Sequence, residues 1–126
     1  MQKVVSVAVM RQSDAETIRG GVPGRELMLR AGRGILESHV WKGPVAIVAG
    51  SGNNGGDGYV LALLLKEKGI PCTVFLLSDR FSEDGRYYYE KCLEKGVKFE
   101  YFTKNTAFFG FSEVVDCILG DRKSVV

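Results

Sequence analysis

The stretch GSGNNGGDG, residues 50–58, holds Asn53, Asn54 and Asp57 close together, and five of its nine residues are glycine. Amide oxygens and a carboxylate are hard donors that coordinate cations, and the carboxylate can also carry a proton. The plainer alternative is an Asx-rich turn in which Asp57 caps a helix. A second candidate is Asp116, set among Val114, Val115, Cys117, Ile118 and Leu119. A carboxylate in an apolar strand is costly to bury unless a cation or a proton pairs it. The alternative for Asp116 is a strand end that reaches solvent. The single histidine, His39, has no acid or nucleophile patterned around it and reads as packing or solvent-facing. Tyr87, Tyr88 and Tyr89 read as packing or interface residues, with at least one ring facing outward.

The elements that must position these groups follow from the apolar pattern. Residues 45–49 (VAIVA) are a continuous apolar run, as expected of a strand buried on both faces. The glycine loop follows, then a helix over 59–68, stopped by Gly69 and Pro71. Residues 72–77 predict a second strand. Ser82 is a plausible N-cap for a helix that ends at Gly96. Residues 97–101 predict a third, less buried strand, 104–111 an aromatic loop or short helix, and 114–119 a fourth strand. Before them, residues 10–19 predict a helix closed by Gly20 and Gly21, while the first nine residues are ambiguous. A further helix should place Leu27, Met28, Ala31, Ile35 and Leu36 on one face. Gly32 and Gly34 weaken it by about 1 kcal/mol each unless another backbone packs there.

This alternation predicts an α/β fold, a Rossmann-like three-layer αβα architecture with a mainly parallel sheet and helices on both faces. In such sheets ligands bind beyond the C-terminal ends of the strands. Bare glycine backbone there lets a phosphate-bearing ligand approach, and the following helix N-terminus favours its charge. Residues 50–55 also spell GxGxxG, the dinucleotide pattern, and Asp79 lies near the place of its ribose-binding acid. That pattern does not need two asparagines and Asp57.

Composition bounds the remaining classes. The 126 residues suit one domain, and 45% hydrophobic with 25% charged is ordinary for a globular chain. A net charge of +2 without a basic stripe argues against nucleic acid as a partner. Cys72, Cys92 and Cys117 are widely spaced and form neither a disulfide framework nor a zinc pair, which fits a reducing cytosol. No apolar run is long enough for a membrane span, and the N-terminus lacks a signal-peptide pattern. The expectation is a soluble cytoplasmic protein.

VAIVAGSGNNGGDGYVLA resembles the signature of the YjeF N-terminal domain family, the NAD(P)H-hydrate epimerases. LMLRAG at 27–32, VVDCILG at 114–120 and MRQSD at 10–14 resemble further family stretches in the same order. The resemblance implies an isomerase of nicotinamide cofactor repair. It interconverts the R and S epimers of hydrated NADH or NADPH at C6 of the reduced ring, so that an S-specific dehydratase can restore the cofactor. By resemblance, Asn53, Asn54, Gly55, Gly56 and Asp57 line the hydrated cofactor, and Gly120 begins the next contacting loop. Asn54 and Asp116 would hold a potassium ion. Asp116 is the first candidate for the acid–base group and Asp57 the second.

After Gly120 the family pattern continues Thr-Gly-Leu, whereas this chain reads DRKSVV. Residues 1–126 are therefore expected to be a partial domain lacking the C-terminal strands of the family. Two other readings stay open: a non-catalytic nucleotide-binding module of the same fold, and half of an ordinary NAD-dependent oxidoreductase. With the strand order 3-2-1-4 that the resemblance implies, residues 114–119 would form an apolar edge, which predicts pairing into a homo-oligomer or a need for the absent remainder.

Overall fold

A computed structural model describes residues 3–6 and 23–118, with backbone alone at 3–6, Asn53 and Asn54. The predicted helix at 10–19, Gly120 and the divergent tail lie outside the described residues.

The apolar run at 45–49 forms strand β2 (Val45–Ala49), buried at every position. It is central because it is flanked on both sides. The sheet also contains β1 (Lys3–Ser6), β3 (Cys72–Leu76), β4 (Lys98–Tyr101) and β5 (Glu113–Cys117), in the order β1-β5-β2-β3-β4, with all pairs parallel. The predicted order of four strands is present within it. What the sequence reading lacked is β1, which pairs with β5 from Lys3 opposite Glu113 to Ser6 opposite Asp116. Strand β5 is therefore interior, and the predicted apolar edge does not exist. The argument for a homo-oligomer through that edge falls with it. The far edge, β4, is guarded by charge: Lys98 and Glu100 form an exposed ion pair at 3.4 Å.

Three helices complete the described elements: α1 (Gly24–Glu37), α2 (Asn53–Glu67) and α3 (Glu83–Lys95). Helix α1 buries Leu27, Met28, Ala31, Gly32, Ile35 and Leu36, the face its spacing predicts. Gly32 meets Val60 of α2 so closely that a Cβ would clash with its side chain, which accounts for a helix-weakening residue there. Helix α2 is buried on nearly all sides between α1, α3 and the sheet, so its sequence shows no polar stripe. It starts six residues before the expected Tyr59, inside the glycine stretch. Helix α3 begins as predicted, with Ser82 Oγ accepting the Gly85 N–H at 3.0 Å, and ends at Gly96 in the left-handed region. Of its three tyrosines, Tyr88 is buried and donates to the Arg25 carbonyl at 2.8 Å. Tyr89 joins Tyr59, Phe81 and Phe99 in an aromatic cluster, and Tyr87 carries Arg25 over its ring at 4.1 Å.

All three described helices cover one face of the sheet. Val45, Ile47, Ala49, Val74, Leu76, Val115 and Cys117 share a core with them. On the opposite face Ala46, Val48, Phe75 and Val114 are covered by Phe102, Phe108 and Phe111. The stretch 104–111 is thus an aromatic loop, and it supplies the apolar cover that a helix was expected to give on that face.

Glu113 went unnoticed in the sequence because it precedes the apolar run. It is 3% exposed, and its two oxygens accept the Lys42 and Gly43 N–H groups, each at 3.0 Å. Ser112 Oγ also donates to the Gly43 carbonyl at 2.8 Å. This pins the entry into β2 against the start of β5. Glu113→Ala should cost about 3 kcal/mol by stranding two amides that bond a charged group. Urea unfolding checks it, with Glu113→Gln expected to lose distinctly less.

Candidate active site

The loop after β2 leaves the sheet at its C-terminal edge, beside the end of β5. Gly50 N donates to the Cys117 carbonyl at 3.0 Å, and Leu77 N to the Ala49 carbonyl at 3.0 Å, so three strand ends leave in register. Ile118 then crosses Gly50 closely enough that a Cβ there would lie 2.7 Å from its carbonyl oxygen. Gly55, in the first turn of α2, faces the Gly50 carbonyl in the same way, with no room for a methyl group. The loop therefore folds back on itself backbone to backbone. Gly52 differs. Its φ of +80° and ψ of −160° belong to a region populated almost only by glycine, and nothing lies within 4 Å of its absent side chain. Glycine serves two needs here: tight packing at Gly50 and Gly55, and an open, strained corner at Gly52 where α2 begins.

Asn53 and Asn54 are the first two residues of α2. With Gly55 they carry amide groups that have no partner four residues back within the helix, the usual basis of anion binding at such an end. Asp57 lies one turn further along and is fully buried. On the other side, Asp116 pairs in register with Val48 of β2 and Ser6 of β1. It is 9% exposed, and Oδ1 accepts the Ile118 N–H at 3.0 Å. Asp116 is thus held within the sheet by its own following backbone, rather than reaching solvent from a frayed end.

Cys117, next after Asp116, packs against Gly58 of α2. Burial is the main reason its thiol is pushed well above its ordinary value of 9.0; the Asp57 and Asp116 carboxylates raise it further. Asp116 and Cys117 are consecutive in β5, so their side chains leave opposite faces of the sheet, Cys117 toward the helices and Asp116 toward the side of Val48. The sequence reading did not single out Cys117 as a neighbour of the site; its place immediately after Asp116 was the available signal. Among the described residues no three His, Cys, Asp or Glu side chains form a metal-ligand group. A cation here would need amide or carbonyl oxygens beside carboxylate, a donor set suited to a hard ion.

All three cysteines are free, and burial raises each thiol, that of Cys72 to about 11. The folded chain then holds protons that the unfolded chain releases above pH 9.0. Stability from these groups is complete below that pH and falls as pH rises toward 11 and beyond. Urea midpoints measured from pH 8 to 11 should decline accordingly. At pH 8 a thiol reagent should label Cys92 and Cys117 only after unfolding.

The remaining features lie away from this edge. His39 packs edge-on to Trp41 with ring centroids 4.7 Å apart. Among the described residues no helix is long and apolar enough to cross a membrane.

Known proteins of similar sequence and fold share one family description. A protein from Lentilactobacillus buchneri named NAD(P)H-hydrate epimerase is 33% identical over 132 residues, covering 98% of this chain and 60% of that protein. A Coxiella burnetii protein named bifunctional NAD(P)H-hydrate repair enzyme Nnr is 35% identical over 80 residues, covering 60% of this chain and 16% of that protein. The crystal structure of the yeast protein ynu0 (YNL200c) superposes with a TM-score of 0.59 at 26% identity, covering 82% of this chain and 49% of that one. The chain thus spans at most 60% of these proteins. The family described as YjeF-related protein N-terminus matches residues 24–123, a span that contains the glycine loop, Asp57 and Asp116, and the chain belongs to that family.

Proposed function

We propose that this chain carries the NAD(P)H-hydrate epimerase function, interconverting the R and S epimers of hydrated NADH and NADPH. Residues 1–126 are read as part of one domain of the family. The observation that carries the reading is the pair of buried carboxylates, Asp57 and Asp116, at the C-terminal edge of the sheet beside the start of α2. Epimerisation needs a group that delivers a proton to the departing C6 hydroxyl and takes one back. The ring-nitrogen lone pair assists departure, water leaves, and an iminium-like ring remains. Water then adds to the opposite face and returns its proton to the carboxylate. Asp116 is the acid–base group in this scheme, because it is slightly exposed whereas Asp57 is fully enclosed. Asp57 is the second candidate.

The open corner at Gly52 and the first amides of α2 suit the phosphate-bearing part of the ligand. Asn53, Asn54, Gly55, Gly56 and Asp57 are the residues of this turn assigned to it, with Gly120 beyond β5. Asn54 and Asp116 are the proposed potassium ligands. When bound, the ion supplies positive charge beside the buried carboxylates. The names of the relatives support the substrate. The bifunctional repair enzyme supports a working link to an S-specific dehydratase. Three free cysteines favour a cytoplasmic setting.

Incubating the chain with one epimer of hydrated NADPH should produce the other, followed by chromatography. Ligand binding without epimerisation would select a non-catalytic module, and redox turnover of intact NADPH an oxidoreductase. Rubidium-soaked crystals should show anomalous signal within about 3 Å of Asn54 or Asp116 oxygens. Its absence would remove the potassium assignment.

A further inference from the structure

A cavity of about 440 Å³ opens at the other end of α2, between the C-terminal ends of α1 and α2. With α2 fifteen residues long, it lies about 22 Å from the glycine loop. Its walls are apolar where Leu36, Leu64 and Ile70 meet the ring of Trp41. The polar atom of that ring is already used, since Trp41 Nε1 donates to the Leu36 carbonyl at 2.8 Å, so the indole offers only its apolar surface. His39 lines the same cavity. Its Nε2 is buried and has no hydrogen-bond partner among the described residues. Buried to that degree, the atom is out of reach of a ligand in the cavity, and the imidazole contributes only its ring to the wall. Two cations, Arg33 and Lys68, stand at the rim against one carboxylate, Glu37.

We propose that this cavity is a second binding site, separate from the epimerase site, for a small carboxylate with an apolar ring body. The ring lies against Trp41 and the aliphatic wall. The carboxylate faces Arg33 and Lys68. Each requirement excludes a class. An apolar amine would meet two cations, and a hydrophilic dianion would leave the aliphatic wall without a partner. The volume suits a ligand of one or two rings.

The probe is phenylacetate, titrated into the full chain and followed by the fluorescence of Trp41, the only tryptophan. The expected result is a saturable change with Kd of about 1 mM or below, and binding at least about tenfold weaker for the neutral isostere phenylacetamide. Arg33 and Lys68 are exposed, so Arg33→Gln with Lys68→Gln should fold normally and weaken phenylacetate at least about tenfold. Saturating NADPH should leave the phenylacetate affinity unchanged. Absence of a saturable change up to about 20 mM, equal binding of acid and amide, or indifference to the double substitution would each overturn the proposal. Competition by NADPH would overturn its separation from the epimerase site.

Discussion

Asp116→Asn should lower the rate of epimerisation at least about 10²-fold, the usual scale for loss of an acid–base group, while the fold persists. The two halves of this expectation rest on different contacts. Asp116 sits inside the sheet, with Ser6 opposite on one side and Val48 on the other, so a change of shape there would disturb both β1 and β2. Asparagine has the same shape, and its amide oxygen can still accept the Ile118 N–H that Oδ1 now accepts at 3.0 Å. What the amide cannot do is give and take a proton. Circular dichroism and the urea midpoint should therefore match the parent chain while turnover collapses. Asp116→Ala is the contrasting case: it removes the acceptor as well and should lose stability in addition to activity. Unchanged turnover in Asp116→Asn would transfer the acid–base role to Asp57.

Gly55→Ala should destabilise the chain by at least about 3 kcal/mol, at the upper end of overpacking effects. For a domain of this size that lowers Tm by roughly 10 °C. The reason is the identity of what the new methyl group meets. It is the carbonyl of Gly50, a backbone group whose own N–H is bonded to the Cys117 carbonyl at the end of β5. A side chain in that place could swing aside; this carbonyl cannot move without pulling the loop off the sheet. Because Gly52 opens onto empty space, alanine there meets only the conformational cost of its backbone region, about 1–3 kcal/mol. A Gly55→Ala chain that melts at the parent temperature would mean that the loop does not fold back on Gly50.

Much of the candidate site could be read because its signals are local. A lone carboxylate in an apolar run marks Asp116 without knowledge of its neighbours, and the cluster of two amides and Asp57 marks the other side of the site. The helix caps at Ser82 and Gly96 were legible for the same reason: a cap is satisfied by residues three or four positions away. Glu113 was missed because its partners, the Lys42 and Gly43 amides, lie about seventy residues earlier in the chain. The start of α2 was misplaced because glycine is a poor helix former. Helical glycines at 55, 56 and 58 are favoured by what surrounds them: Gly50, Met28 with Gly85, and Ile47 with Cys117.

The sequence by itself determined the alternation of strands and helices and the identity of the residues that can do chemistry. These follow from apolar period, breakers and caps, which act within a few residues. Only the tertiary structure decided that Lys3–Ser6 closes the side of β5, and that an aromatic loop covers the face opposite the three described helices. It alone buried both Asp57 and Asp116, one in the first turns of α2 and one inside the sheet. A four-residue strand has too little period to announce itself, and its partner lies 110 positions away, Lys3 opposite Glu113. Such pairings are selected by the burial of the whole sheet, which no short window of sequence contains.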